Sequence, residues 1–401
     1  MESGLETEYL VQKMSIQMSS RVLPIPKHYS YISTHIAFIT VEELLRLPIS
    51  LHCISLEQRK AYFVEMSDGS NPYNTRRFSI QFVSQRELGK YLYALPLDQF
   101  YQYVEGLDLS QRRVVWLFHS ARCGSTVWAQ VFNELPNWGV VSECNFLLHS
   151  LMYENNSEPI NNFLHSETFA RATLAGFKFN VSRFPESYSI FVKGATFQDL
   201  SLLHPVAKYF KNLKLLFSYR NCLPSTESWS QAFAKYKLMF LESSRRIVNG
   251  KYTNDYISLF IVGAHTQWWL HPARSRVIPN PVPVSQFEWY VVYWCSMVCG
   301  VRRAQEQGYG VHCIKYEDMQ ADCEGLIRRV FNHLGIDESL VAMALQSTRQ
   351  DSHADTYFSH RKRKDRVNSE TLTESLSRAN KILEYYDCLS LNSDLVMPST
   401  L

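Results

Sequence analysis

An arginine, a glycine and two hydroxyls stand together at Arg122-Cys123-Gly124-Ser125-Thr126. The apolar run Val114–Phe118 leads into them, and Val127–Leu135 follows with its apolar residues at helical spacing. The pattern is strand, turn, helix. At such a helix start the first backbone N–H groups lack intrahelical partners and the helix dipole favours negative charge, so the turn reads as a cradle for phosphate or sulfate. It is not a Walker loop, which needs Lys directly after its second Gly; Ser125 holds that place.

A second stretch has matching chemistry. The apolar run Leu213–Ser218 delivers Arg220 at its end, and Ser228 lies eight residues further on, read as the first turn of the next helix. Ligands of open α/β sheets bind outside the carboxyl ends of strands. Two strands that each end in an arginine and a hydroxyl-bearing helix could hold both ends of one dianion. Taken alone, Arg220 would read as a surface ion pair and Ser228 as a helix cap.

The first motif resembles R-S-G-[ST]-[ST], the phosphosulfate loop of sulfotransferases that use 3′-phosphoadenosine 5′-phosphosulfate (PAPS), with Cys123 where Ser is usual. In that family a strand-end Arg in R-[DN]-P or R-N-x, with Ser eight residues later, binds the 3′-phosphate; Arg220-Asn221 and Ser228 match. Phe191-Val192-Lys193-Gly194-Ala195 resembles the family's strand-end Lys segment. Ile314–Met319 resembles its Y-E-D-L element, and Leu334-Gly335-Ile336 its F-L-G-[IV]. The resemblance spans roughly residues 112–345. It implies that PAPS is the donor and that Arg122, Cys123, Gly124, Ser125, Thr126, Arg220 and Ser228 hold it, without a metal ion. Cytosolic members place a catalytic His two residues after the Lys; that position is Ala195, so this route is closed. Golgi-type members, including the tyrosylprotein group, use a Glu downstream of the loop. Glu143, 21 residues after Arg122 at the end of the strand Val140–Ser142, resembles that placement. A carboxylate partly desolvated beside a bound anion would be raised in pKa and could serve as general base. The plainer reading of Glu143 is a helix cap or a lysine's partner.

Lys193 would stabilise the transferring sulfuryl oxygens or form a structural ion pair. His149 is a weaker alternative base, and His119 reads as a hydrogen-bonded core histidine. Tyr316 is expected to pack under the nucleotide. The basic run His360–Arg366 would join the 3′-phosphate or form a solvated turn.

The positioning elements follow from periodicity. Short apolar runs at Val114–Phe118, Ser189–Val192, Leu213–Ser218 and Val311–Lys315 alternate with helical patterns, which predicts parallel strands with crossover helices. The expected fold is α/β, a three-layer P-loop-type parallel sheet flanked by helices. The expected organisation is a frayed stretch 1–20, an N-terminal α+β extension 21–110, a sulfotransferase-like domain 111–350, and a basic loop with a final helix over 351–401. In the extension, Ala61–Val64 and Phe78–Phe82 read as strands, Val41–Leu47 as helix, and Arg86–Leu95 and Pro96–Val104 have roughly helical spacing. Helices are also expected over 229–247, Phe287–Gln307, Asp322–Leu334 and Thr371–Leu383, and a cap over the site from about 250–285.

With 401 residues, 46% hydrophobic and 20% charged, the chain has the composition of a globular protein, and a net charge of +3 gives no argument for nucleic acid. The nine cysteines form no C-x-x-C, and Cys295 and Cys299 at helical spacing suggest buried thiols in a reducing compartment. No signal-peptide core, anchor or run of eighteen apolar residues occurs, so the expectation is a cytoplasmic protein. Expected acceptors are a carbohydrate, an alcohol or phenol, or a protein tyrosine; Trp268, Trp269 and Trp289 in the aromatic-rich 230–290 stretch could line a pocket but read better as core. Rival readings are a catalytically impaired nucleotide-binding scaffold and a P-loop kinase.

Overall fold

The computed structural model describes residues 10–17, 32–73, 81, 85, 88–144, 166–194, 199–232, 283, 285–348 and 372–401. Two five-stranded sheets organise them.

The first sheet is antiparallel and comprises β1 (Leu10–Gln17), β2 (Ile32–Thr40), β3 (Ile49–Ser55), β4 (Lys60–Met66) and β5 (Gly89–Pro96), in the order β2-β1-β5-β4-β3. Helices α1 (Val41–Arg46) and α2 (Leu97–Glu105) accompany it. Three expectations are corrected here. Leu10–Gln17, placed in a frayed stretch, is an interior strand with Val11 fully buried. Most of Arg86–Leu95, read at helical spacing, is β5: Tyr91, Leu92, Tyr93 and Ala94 pair with β1 on one side and β4 on the other, and pairing with packing overrides a weak local period. Gln81 is helical rather than extended, and the rest of the strand expected at 78–82 lies outside the described residues.

The second sheet is wholly parallel: β6 (Arg113–His119), β7 (Trp138–Ser142), β8 (Ser189–Lys193), β9 (Asn212–Tyr219) and β10 (Val311–Lys315), in the order β10-β9-β6-β8-β7. Alternation along its strands sorts side chains to two faces. Val115, Leu117, Phe191, Leu216 and Ile314 pack against α3 (Ser125–Glu134), α9 (Cys323–Leu334) and α10 (Val341–Thr348). Val114, Trp116, Phe118, Ile190, Leu215 and Phe217 share a core with α4 (Glu167–Ser182), α5 (Asp199–Tyr209), α7 (Gln286–Glu306) and α11 (Leu372–Tyr385). Both faces are covered, as a parallel sheet requires. That second core continues into the antiparallel sheet, where Phe63 of β4 and Phe100 of α2 meet Phe179 of α4 at ring-centroid distances of 5.0 and 5.9 Å.

Two helices depart from expectation. The helix read as beginning at Trp229 begins at Cys222, as α6 (Cys222–Ala232), because Pro224 sits in its first turn, where a missing N–H costs nothing; residues 233–247 lie outside the described residues. Asp322–Leu334 is preceded by α8 (Tyr316–Ala321), and Asp322 caps α9 by accepting from the Gly325 N–H at 2.8 Å. Among the described residues no helix is long and apolar enough to cross a membrane.

Strand order reverses at β6: the chain runs outward to β7, returns to β8, then crosses to β9 on the other side. The segments leaving β6, β8 and β9 are therefore neighbours at the carboxyl edge, where a crevice is expected.

Candidate active site

The loop after β6 is bent into an unusual backbone. Ala121, Arg122 and Gly124 have φ of 58°, 51° and 79°, all left-handed. Two of the three are not glycine, and such strain persists only where the surroundings hold it. Hydroxyls do so: Ser225 Oγ of α6 donates to the Ala121 carbonyl and Ser218 Oγ of β9 to the Cys123 carbonyl, each at 3.0 Å. The Ser218 carbonyl in turn accepts from the Ser120 N–H at 3.0 Å and from Cys123 Sγ at 3.1 Å. With these carbonyls taken up by β9 and α6, the loop leads into α3, a helix start of the kind whose first N–H groups lack intrahelical carbonyl partners. The first turn of α3 carries no acidic side chain of its own, which suits an anion at its start. Gly124 is required twice over: its φ suits glycine, and a Cβ would stand 2.8 Å from Cδ2 of Tyr316. Cys123 is fully buried, and burial pushes its thiol up, so toward the cradle it offers backbone rather than sulfur.

The second motif meets the first. Arg122 Nε donates to Ser228 Oγ at 3.1 Å. Ser228 is in the second turn of α6, not the first as expected, and this places its hydroxyl over the loop. Arg220, just beyond β9, lies with its guanidinium carbon 4.7 Å from the Tyr316 ring centroid. Its carbonyl accepts from Trp294 Nε1 at 2.8 Å, and its Nε is buried without a hydrogen-bond partner. A buried guanidinium N–H left unpaired suits a site shaped for an anion. Tyr316 therefore lies between the loop glycine and Arg220.

At the ends of β7 and β8 sits an acid–base group. Glu143 follows β7 with φ of 50°, its N–H donating to the Lys193 carbonyl at 2.9 Å. Its carboxylate pairs with Lys193 Nζ, which also donates to Thr126 Oγ1 at 2.9 Å. Lys193 is almost wholly buried, while the Glu143 side chain keeps 15% of its exposure, enough to face a ligand. His119 Nε2 stands 3.9 Å from Glu143 Oε1. That nitrogen donates to the Gly194 carbonyl at 3.0 Å and Nδ1 accepts from the Ala121 N–H at 3.3 Å. Acceptance at Nδ1 needs the neutral ring, as the Nε2–H tautomer. Burial first, then Lys193, lowers its pKa to about 4, so it is the satisfied core histidine the sequence suggested.

Arg122, Cys123, Gly124, Ser125, Thr126, Lys193, Glu143, Arg220 and Ser228 thus gather at one edge of the sheet. Ala195, His149, Trp268, Trp269, residues 250–282 and the basic run His360–Arg366 lie outside the described residues; Trp289 is a core residue of α7. Ser218 and Ser225 were missed. The only signal was a hydroxyl at the end of an apolar strand and another in the next helix, a pattern shared with ordinary caps. Among the described residues no group of three or more His, Cys, Asp or Glu could hold a metal ion.

No family model matches the chain, and no curated protein matches it. Among solved structures it is similar to a sulfotransferase from Alicyclobacillus acidocaldarius, at 11% identity and a TM-score of 0.35, over 57% of this chain and 82% of that one. A mouse sulfotransferase complexed with PAP is matched at 14% identity and a TM-score of 0.32, over 62% of this chain and 69% of that one. The sulfotransferase domain of a Synechococcus olefin synthase is matched at 14% identity and a TM-score of 0.33, over 72% of this chain and 98% of that one.

Proposed function

We propose that the chain transfers a sulfuryl group from PAPS to a hydroxyl or amine acceptor. One observation carries the reading: two anion-binding motifs far apart in sequence converge, with Arg122 Nε 3.1 Å from Ser228 Oγ, beside an arginine whose Nε has no hydrogen-bond partner. A ligand with two anionic ends, such as a nucleoside bisphosphate, fits that grouping. Arg220 and Ser228 would take the 3′-phosphate. Arg122, Ser125, Thr126 and the N–H groups of the loop would take the 5′ end and neutralise charge on the leaving oxygen. When bound, PAPS supplies the sulfuryl group. Glu143 would accept the acceptor's proton, and Lys193, already shared between Glu143 and Thr126, would face the sulfuryl oxygens. Neutral His119 adds no competing charge. No metal ion enters these roles.

The acceptor side is left to a hydroxyl-bearing molecule: carbohydrate, alcohol or phenol, or protein tyrosine. All nine cysteines are free thiols, which supports a reducing compartment such as the cytoplasm. The test is calorimetric titration with adenosine 3′,5′-bisphosphate and with ATP, alongside transfer from labelled PAPS to glycans, phenols, steroids and tyrosyl peptides. Bisphosphate binding without ATP binding, with label transferred to one class, is the expected result. ATP binding without bisphosphate binding overturns it in favour of a kinase. Bisphosphate binding with no transfer to any acceptor would favour a scaffold.

A further inference from the structure

Asn221, next to Arg220, is bonded entirely within the chain. Its N–H donates to Glu317 Oε1 at 3.1 Å, its Nδ2 donates to Asp394 Oδ1 at 2.8 Å, and its Oδ1 accepts from the Leu395 N–H at 3.1 Å. Asp394 Oδ1 also accepts from Lys315 Nζ, at the end of β10, at 2.5 Å. One carboxylate oxygen thereby ties the ends of β9 and β10 together. Lys315 is 6% exposed and needs a counter-charge, whereas Asp394 is 70% exposed. An ion pair with so exposed a partner contributes little to stability, so its value lies in placement.

The residues after Asp394 anchor that oxygen. Leu395 and Met397 are buried, and the Met397 N–H donates to the Tyr219 hydroxyl at 3.1 Å. Thr400 pairs in parallel with Cys313 of β10, through bonds from the Cys313 N–H to the Ser399 carbonyl and from the Leu401 N–H to the Cys313 carbonyl, each 3.0 Å. The segment is thus fastened to the sheet edge at one end and to the Arg220–Asn221 turn at the other.

We infer that Asp394 is a positioning residue for the phosphate arm: through Asn221 and Lys315 it fixes the turn from which Arg220 reaches a 3′-phosphate. This rests on the nucleotide reading above. Its signature is selective. Losing Asp394 loosens the grip on a 3′-phosphate and leaves the loop after β6, and hence the 5′-phosphate, untouched.

The experiment measures dissociation constants of adenosine 3′,5′-bisphosphate and of 5′-AMP with the full chain. Their ratio isolates the 3′-phosphate. Asp394→Ala should cut that ratio by about tenfold, the loss of one charge-assisted hydrogen bond's worth of placement, with 5′-AMP affinity unchanged. Asp394→Asn keeps an accepting oxygen for both donors and should restore most of the ratio. If Asp394→Ala fails to fold because Lys315 is left unpaired, Lys315→Met/Asp394→Ala removes that charge and carries the same expectation. An unchanged ratio, or equal weakening of both nucleotides, overturns the inference while leaving the donor reading intact. A wild-type ratio of one overturns both.

Discussion

Replacing Glu143 by Gln separates its two roles. The carboxylate pairs with Lys193, whose side chain is 1% exposed. Removing one partner of a buried pair outright costs about 3–5 kcal/mol, because the other charge is left without compensation. Gln keeps an oxygen for Lys193 Nζ, and Thr126 Oγ1 at 2.9 Å remains a second acceptor, so the loss should fall well short of that, about 1–2 kcal/mol. A base that takes a proton in the transition state contributes about 10²–10⁴-fold, or roughly 3–5 kcal/mol of barrier. Glu143→Gln should therefore lower turnover by two to four orders of magnitude, shift the urea midpoint modestly, and change the dissociation constant of adenosine 3′,5′-bisphosphate less than about threefold. Glu143→Ala should match it in turnover but lose more stability. Turnover of labelled PAPS, measured with saturating nucleotide on protein verified as folded by circular dichroism, is the assay. Unaltered turnover in Glu143→Gln would refute the role. Equal loss of stability in the Gln and Ala variants would refute the account of Lys193.

Arg220→Met should weaken the bisphosphate about 10- to 100-fold by removing a charged donor to phosphate, and should flatten the salt dependence of calorimetric binding. Gly124→Ala should cost roughly 1–2 kcal/mol for its left-handed φ, plus the displacement of Tyr316, read as a lower denaturation midpoint with nucleotide binding lost. His119 is held neutral in the fold, its pKa lowered from 6.5 to about 4. The unfolded chain therefore takes up this proton first as pH falls, and stability should decline between pH 6.5 and 4 by up to about 3 kcal/mol; urea titrations across that range should show a smaller decline in His119→Gln. Burial pushes the Cys295 thiol up to about 11 and the Cys313 thiol to about 12, so mass spectrometry after brief alkylation at pH 8 should find both unmodified until denaturant is added.

The parallel sheet was legible because its strands are short, apolar runs with no rival period. Val311–Lys315 was read with the bounds it has, and Glu143 follows its strand as expected. The antiparallel sheet was less so. Gly89–Pro96 has polar and aromatic residues whose spacing also fits a helix, and only pairing on both sides makes it a strand. Leu10–Gln17 looked polar because Gln12, Lys13 and Ser15 interrupt it, although Val11 and Met14 are buried. At the site, residue types and order pointed to Arg122, Arg220 and Ser228. Their convergence could not be read, since it depends on β9 lying beside β6 and on α6 beginning a turn and a half before Ser228. Asp394 had no signal at all: its partners are 79 and 173 residues away.

The buried lysine of the site is already neutralised from within. Lys193 is paired with Glu143, and Arg122 is bonded to Ser228. Leaving the buried ammonium unpaired would cost several kcal/mol, so a carboxylate beside it is a structural need before it is a catalytic one. On the proposed function, an arriving anion exchanges partners at Lys193 and Arg122 and gains less there than the sum of its new hydrogen bonds, whereas Arg220 Nε has no partner to give up. The exchange has a useful direction. On the proposed function, a sulfuryl group drawing Lys193 toward itself frees a Glu143 oxygen to face the acceptor's hydroxyl only when the donor is in place.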